Sequence, residues 1–174
     1  DHLATSTPQL IRTIADAVGK PDAGEALVKR TQEQIDQAKK QIAAWKPAKP
    51  MRVAFFYVRG NAGVFFILGS ENGASELIQG VGADDVASDK GITTLVPANA
   101  ESLVSINPDA IFVMRDGLAS TGGMKGLLAR AGVANTTAGR KQRVISIPDG
   151  ISLSFGPQTG EVLAAVAKAL YGVK

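Results

Sequence analysis

A tyrosine and an arginine two positions apart are the residues of this sequence with the clearest chemical potential. Tyr57 and Arg59 stand at the end of the apolar run Met51–Val58, whose β-branched and aromatic residues predict a buried strand. Side chains two positions apart on a strand share a face. The segment Gly60–Gly63 follows and predicts a loop. The pattern therefore places a phenol beside a guanidinium where a strand opens into a loop.

Two interpretations of Tyr57 remain open at this level. A tyrosine in an apolar strand is usually a half-buried core residue, with Arg59 then an ordinary surface charge. The alternative is iron chemistry, because tyrosinate is an established axial ligand of haem iron and a nearby guanidinium favours the ionised phenol. The glycines of the loop and Phe65-Phe66 would give a flat macrocycle backbone room and an apolar wall.

Other chemistries find little support in the sequence. It has no cysteine, which excludes disulfides, thiolate metal sites and cysteine nucleophiles. Its single histidine, His2, lies at the terminus, so a multi-histidine metal site within this sequence is excluded. Nucleophile-elbow, phosphate-loop and His-Glu-x-x-His motifs are missing. We therefore expect a protein that is not an enzyme.

The composition is that of an ordinary globular protein. The sequence has 174 residues, 45% of them apolar, with a net charge of +3, which suits one domain or one domain with an appendage. The basic clusters Lys39-Lys40 and Arg140–Arg143 lack neighbouring aromatics and predict solvated surfaces rather than nucleic-acid binding. The sequence contains no signal peptide and no apolar run long enough to cross a bilayer. Its start at Asp1 suggests a fragment or a processed product.

Two helices are predicted before the first strand. Thr7-Pro8 predicts a helix start and Gly19 its end. A second helix is predicted from Asp22 to Trp45, with Asp22 and Glu25 forming a capping-box-like pair. Its apolar positions form a narrow stripe: Leu27, Thr31, Ile35, Ala38, Ile42 and Trp45. So long a helix with so narrow a stripe is expected to lie across a surface or to bridge two lobes.

Strands and helices alternate after Pro50. Strands are predicted at 51–58, 109–114 and 143–147, with a shorter β-like segment at 93–96, and helices at 71–79, 99–106, up to Arg130 and from Pro157. This alternation predicts an α/β fold with a mostly parallel sheet and helices on both faces. Ligands of such sheets collect at the carboxyl ends of the strands. The loops predicted there are 58–66, 115–123 and 148–155, near Tyr57, Met114 and Asp149.

Three motifs carry a resemblance to a known family. They are Phe56-Tyr57-Val58-Arg59-Gly60, the segment Met114–Gly123 (MRDGLASTGG) and Phe155-Gly156-Pro157-Gln158-Thr159. Together they resemble the carboxyl-terminal part of a bacterial haem-uptake substrate-binding protein, of the actinobacterial haem-transport lipoprotein type. The resemblance implies one lobe of a bilobed fold built on a helical backbone. It divides the chain into a lead-in helix (1–21), a long inter-lobe helix (22–47) and a carboxyl-terminal α/β lobe (51–174).

The resemblance also implies a ligand and its site. Tyr57 is similar to the axial tyrosine that binds ferric haem (protoporphyrin IX), and Arg59 to its hydrogen-bond partner. The haem-pocket loops would then contain Asn61, Met114, Arg115, Gly117 and Leu118. The implied partner is the permease of an ABC transporter. The implied location is outside the cytoplasm, in the periplasm or on a membrane-anchored lipoprotein.

The sequence departs from the resemblance in one large respect. The amino-terminal lobe, which supplies a second axial histidine in the actinobacterial branch, has no counterpart here except His2. An isolated lobe is expected to leave one haem face open, and a homodimer with stacked haems or exchanged helices is one way to cover it. The alternatives are a siderophore- or cobalamin-binding lobe on the same scaffold, with Tyr57 and Arg59 touching the ligand, and a permease-docking domain without a ligand.

Overall fold

Two helices lead into the domain. The computed structural model describes residues 2–60, 63–150 and 153–173, with side chains from Ser6 onward. Helix α1 spans His2–Ala17 and helix α2 spans Pro21–Trp45. The predicted start of the first helix at Thr7 was wrong, because Pro8 lies inside α1. Local preference is a weak determinant that packing overrides, and here Thr7, Ile11 and Ala15 form a buried stripe.

The predicted start of the long helix, Asp22, lies one residue after its observed start at Pro21. Pro21 occupies its first turn, Lys20 precedes it and no side chain caps it, so the predicted capping pair of Asp22 and Glu25 was wrong. Glu25 instead bonds to Arg12 of α1, with Nε and Oε1 2.5 Å apart. The buried stripe of α2 is Gly24, Val28, Thr31, Ile35, Ala38 and Ile42.

The strands form one mixed sheet. Among the described residues they are β1 Arg52–Arg59, β2 Val64–Ile67, β3 Asp84–Asp85, β4 Val96–Pro97, β5 Ala110–Met114 and β6 Val144–Ile147. Their order is β4-β2-β1-β5-β6, with β3 beside the start of β1. β1 runs parallel to β3 and β5, and β5 parallel to β6, whereas β2 is antiparallel to both β1 and β4. The prediction of a mostly parallel sheet is confirmed.

Two predicted irregular segments contain regular structure. The predicted loop 58–66 includes most of β2, whose Phe65 and Ile67 point into the core. The predicted loop 115–123 is largely helical, since α6 spans Arg115–Ser120 and α7 Gly123–Leu128. The β-like segment 93–96 contributes only Val96 to β4. In each case pairing or packing with distant residues decided the conformation.

Helices cover the sheet on both faces. The remaining ones are α3 Ala74–Gly80, α4 Val86–Asp89, α5 Ala100–Ile106, α8 Thr137–Arg140 and α9 Thr159–Tyr171. As predicted, Asn99 caps α5, in a reciprocal bond with Ser102. One core packs α2, α3 and α9 against the face of β1 that carries Phe55, and the other packs α4, α5, α7 and α8 against the face that carries Phe56.

Helix α2 is held closely against α9. A Cβ atom added to Gly160 would lie 2.6 Å from the carbonyl carbon of Gln34, so the two helix backbones are nearly in contact. Outside its buried stripe, α2 is mostly exposed. It therefore lies across the surface of the lobe, which was one of the two arrangements expected from its narrow apolar stripe.

Candidate functional site

Tyr57 and Met114 lie side by side at the carboxyl end of the sheet. Phe56 of β1 pairs with Val113 of β5, so the residues that follow them are also neighbours. Both side chains are half-buried and pack at the margin of the core that contains Phe55. The sheet topology thus brings together two residues that are 57 positions apart, as the sequence predicted.

Arg59 covers the ring of Tyr57. Its guanidinium carbon lies 5.1 Å from the ring centroid, within the range of a cation–π contact. Its Nη2 atom lies 3.5 Å from Oδ1 of Asp149, and the two side chains are 40% and 25% exposed. This contact joins the end of β1 to the loop after β6, so two of the three predicted edge loops meet at one charge pair.

The hydroxyl of Tyr57 has no hydrogen-bond partner within residues 2–60, 63–150 and 153–173. The guanidinium of Arg59 contacts the ring rather than the hydroxyl, which differs from the hydrogen bond that the resemblance implied. A half-buried phenol with an unengaged oxygen is open to an external ligand, because binding one costs no internal hydrogen bond.

Gly117 makes the close packing at Arg59 possible. It is buried in α6, and a Cβ atom there would lie 2.6 Å from the carbonyl oxygen of Val58 and 2.9 Å from Nη1 of Arg59. Nη1 is itself buried, with no acceptor among the described residues. Gly117 therefore leaves the space that the guanidinium of Arg59 occupies. The resemblance implied Gly117 as a residue of a haem-pocket loop.

Ser120 and Arg130 hold the loop after β1. In the sequence, Ser120 appeared only as part of the motif Met114–Gly123 and Arg130 only as the end of a predicted helix. The amide of Gly60 donates to Oγ of Ser120 at 2.8 Å, and this hydroxyl donates to the carbonyl of Gly117 at 2.7 Å. Arg130 donates to the carbonyl of Gly60 and lies 4.9 Å from the ring centroid of Phe65. These contacts span 60 and 70 positions, and no local sequence signal predicts them.

The remaining predicted residues have different places. Arg115 is exposed at the start of α6, directly after Met114. Leu118 packs against the core on the opposite face of the sheet, so the structure does not bring it to Tyr57. Asn61 lies outside the described residues, and nothing is described of the His2 side chain.

Two further apolar side chains pack on the same face of the sheet as Tyr57. Leu153 and Phe155 are half-buried and pack against the same core as Tyr57 and Met114. Phe155 belongs to one of the three motifs, and Leu153 lies in the predicted edge loop 148–155. Half-buried apolar side chains are typical of the lining of small-molecule sites.

This edge is separate from a groove elsewhere on the molecule. That groove has a volume of about 640 Å³ and lies between α2 and α3, lined by residues that include Lys39, Lys46, Ser75, Glu76 and Gln79. Neither Tyr57 nor Arg59 contributes to it. Within the described ranges there is also no cluster of three His, Asp or Glu residues that could hold a metal ion. No helix in that part of the chain is long and apolar enough to cross a membrane.

Comparison with known protein families decides the class. A family model described as periplasmic binding protein matches residues 5–150. The chain belongs to the periplasmic binding protein family. Proteins of this family bind substrates for transport. A search of curated proteins gives no significant match.

Solved structures of haem-binding proteins share the fold. The haem-binding protein HmuT is 47% identical with a TM-score of 0.95, over 98% of this chain and 55% of that chain. The periplasmic haem-binding protein RhuT from Roseiflexus sp. RS-1, in its apo form, is 33% identical with a TM-score of 0.90, over 97% and 63%. BhuT in complex with two haems is 30% identical with a TM-score of 0.87, also over 97% and 63%. The resemblance inferred from the motifs is confirmed.

This chain therefore spans 55–63% of the length of these three relatives. Further HmuT structures carry an alanine in place of a tyrosine and of an arginine that are two positions apart in that protein. Another carries an alanine in place of a histidine. The spacing of the first two equals that of Tyr57 and Arg59 here.

Proposed function

We propose that this chain binds ferric haem through the phenolate of Tyr57, with Arg59 as the neighbouring positive charge. The observation that carries the proposal is the half-buried Tyr57 at the carboxyl edge of the sheet. Its hydroxyl is unengaged within the described residues, and a guanidinium lies 5.1 Å from its ring centroid. Haem-binding proteins with the same fold support the choice of ligand.

The chemistry of the pair suits ferric iron. Fe(III) binds an oxygen anion strongly, and tyrosinate is one of the axial ligands that proteins use for haem. The guanidinium of Arg59 lies 5.1 Å from the centroid of the ring, so the proposed ligand oxygen has a positive charge in its neighbourhood. Within the described residues no hydrogen bond of the Tyr57 hydroxyl would have to be broken, so coordination of the iron would cost no internal hydrogen bond there.

The surroundings suit a porphyrin. Met114 lies beside Tyr57, and Leu153 and Phe155 pack on the same face of the sheet; these apolar groups could remove a macrocycle face from water. Exposed Arg115 follows Met114 at the same edge and offers a cation to the carboxylates of haem. Met114 and Arg115 are thus the proposed pocket residues at this edge, whereas Leu118 packs against the core on the other face of the sheet.

The proposed role is delivery of haem to an ABC importer outside the cytoplasm. Residues 1–21 and 22–47 would then be the lead-in and inter-lobe helices, and 51–174 the haem-binding lobe. The family assignment and the match to about half of HmuT support this division. The corresponding partner is the permease of the importer. The protein would lie in the periplasm or be anchored to the cell surface as a lipoprotein.

The test is a titration with haemin, monitored by visible absorption and resonance Raman spectroscopy. The chain should bind haemin with a tyrosinate charge-transfer band, and Tyr57→Ala should lose that band while keeping the far-UV circular dichroism of the folded chain. Competition with ferric siderophores and with cobalamin identifies the ligand. If either displaces haemin at equal concentration, or if Tyr57→Ala keeps the band, the proposal is wrong.

The proposed site also predicts an assembly. A single lobe presents Tyr57 to one face of the haem, so two haem-loaded copies are expected to pair and cover the other faces. The measurement is the mass of the haem-loaded chain by analytical ultracentrifugation across a hundredfold range of concentration, about 1 to 100 μM, chosen to bracket micromolar affinities. A monomer mass throughout this range would contradict the dimer and leave the ligand assignment intact.

A further inference from the structure

We propose that Asp149 is the positioning residue that holds the guanidinium of Arg59 over Tyr57, and that it thereby sets how tightly Tyr57 retains haem. The second half of this inference rests on the proposed function. The first half concerns the chain alone and is testable without haem.

The carboxylate of Asp149 connects two elements. Its Oδ2 atom accepts the backbone amide hydrogen of Asp116 at 2.9 Å, and its Oδ1 atom lies 3.5 Å from Nη2 of Arg59. The amide belongs to the first turn of α6, which begins where β5 ends. Because the backbone of α6 fixes one carboxylate oxygen, the other is presented to the arginine from a defined position.

The arginine needs such an anchor. Its Nη1 atom is buried beside Gly117 and has no acceptor among the described residues. An extended arginine loses rotamer freedom when it is held in one place, and an unsatisfied nitrogen adds a desolvation cost. Within the described ranges, Asp149 is the only carboxylate paired with Arg59, so it is the charge that offsets these costs.

The position of the guanidinium matters for Tyr57. Held over the ring, its charge acts across 5.1 Å, whereas an arginine that swings into solvent is screened by water and salt. Asp149 itself has contacts with Arg59 and Asp116 and, in the part of the chain that the structure describes, none with Tyr57. Its effect on the phenol is therefore exerted through the arginine.

The first experiment uses the haem-free chain. The side-chain protons of Arg59 should show ring-current shifts in NMR spectra because they lie over an aromatic ring. Asp149→Asn keeps an oxygen for the Asp116 amide and removes the charge, and it should move these signals toward their solvent-exposed positions. Asp116→Asn is the matched control. It removes an exposed carboxylate from the residue whose backbone amide donates to Asp149, and it leaves that amide in place. Unmoved Arg59 signals in Asp149→Asn would overturn the positioning role.

The second experiment is a double-mutant cycle on haemin affinity. Asp149→Asn should weaken binding by up to about fivefold, the upper end of the range of one partly exposed charge pair, and should speed haemin dissociation. In an Arg59→Gln background the same substitution should change neither quantity, because the residue through which it acts is gone. Additive effects, unchanged affinity in the single variant or tighter binding would each overturn the inference.

The two experiments separate this inference from the proposed function. If the unsubstituted chain gives no tyrosinate band with haemin, the haem assignment is wrong, and with it the second half of the inference. The NMR comparison still decides whether Asp149 positions Arg59. If the band forms and the Arg59 signals are insensitive to Asp149, the haem assignment stands and the inference is wrong.

Discussion

The two tyrosines of this chain lie at opposite ends of the sheet and have opposite electrostatic surroundings. Tyr57 stands at the carboxyl end of β1 under the cation of Arg59. Tyr171 ends α9 near the amino end of the sheet, where its hydroxyl donates to the carbonyl of Val81 at 2.7 Å. Burial and the negative charge of Asp84 raise the pKa of Tyr171. One phenol is kept neutral as a hydrogen-bond donor, and the other is left open beside a positive charge.

This difference shows how one residue type serves two purposes. A phenol that already donates to a buried carbonyl would lose that bond on binding a metal ion, and a nearby carboxylate opposes its ionisation. Within the described residues the hydroxyl of Tyr57 has no such acceptor, and the carboxylate of Asp149 is paired with the guanidinium of Arg59 that lies over the ring. This difference supports the proposed ligand binding at the carboxyl edge of the sheet and predicts a stabilising role for Tyr171 at the amino edge.

The largest expected effect separates the two phenols. Tyr57→Phe should weaken haemin binding by about a hundredfold or more, because it removes the coordinating atom, and should leave the unfolding midpoint nearly unchanged. Tyr171→Phe should show the reverse pattern, with haemin affinity retained. The measurements are haemin titrations and urea unfolding curves of both variants. Haemin loss in Tyr171→Phe at retained stability would contradict the comparison.

A second prediction concerns the support beneath Arg59. Gly117→Ala places a Cβ atom 2.6 Å from the carbonyl oxygen of Val58, and such overpacking costs about 1–3 kcal/mol of folding free energy. Haemin affinity should fall as well, since Nη1 of Arg59 is displaced. Gly156→Ala is the matched control, because its nearest neighbour would lie at 3.5 Å. Equal stability of the two variants in urea would show that α6 has more room than the structure indicates.

The third prediction is a pH dependence at the amino edge. The pKa of Tyr171 is raised in the folded chain, so the neutral phenol contributes stability that is fully present below the ordinary tyrosine pKa of about 10 and is lost as the pH rises through the folded value. Tyr171→Phe should cost about 1 kcal/mol at pH 8 through the lost hydrogen bond. The gap between the two proteins in urea unfolding should narrow by pH 11. A gap that widens on going to high pH would reverse the assigned sign.

The smallest effect is expected from the exposed pair between α1 and α2. Arg12 lowers the pKa of Glu25 through their hydrogen bond, so the contribution of Glu25 is present above its ordinary pKa and is lost as the pH falls. Because both groups are on the surface, Glu25→Gln should change the thermal midpoint at pH 7 by about 1 °C or less. A larger loss, persisting in 1 M salt, would show that this pair is more than a surface contact. In that case the Arg12–Glu25 pair, rather than the buried residues of α2, would be the main contact that holds α1 against α2.

Much of the fold followed from local patterns. The strands β1, β5 and β6, the long helix α2 and the cap of α5 at Asn99 agree with predictions made from apolar runs, helix periodicity and side-chain capping. The misses occurred where distant contacts decide. β2 forms because it pairs with β1, and α6 replaces a glycine-rich loop because Gly117 packs on Val58.

The candidate site was predictable in part for the same reason. Tyr57, Arg59 and Met114 sit at strand ends, which a parallel sheet gathers at one edge. The contacts of Ser120 with Gly60, of Arg130 with Gly60 and of Asp149 with Arg59 join residues 60, 70 and 90 positions apart. The sequence placed Ser120 within a motif and Asp149 at a predicted edge loop, but no local pattern indicated which residues they would contact.

The sequence by itself determined most of the strands and helices and the carboxyl edge of the sheet at which Tyr57 lies, because periodicity and turn chemistry act within a few residues. It also determined that a phenol and a guanidinium share a face, because strand geometry repeats every two positions. Only the tertiary structure decided that Arg59 lies over the ring, that Gly117 leaves space for it and that Asp149 fixes its direction. Those outcomes depend on how α6 and the loop after β6 pack against β1, and packing between distant segments is not encoded in any local pattern.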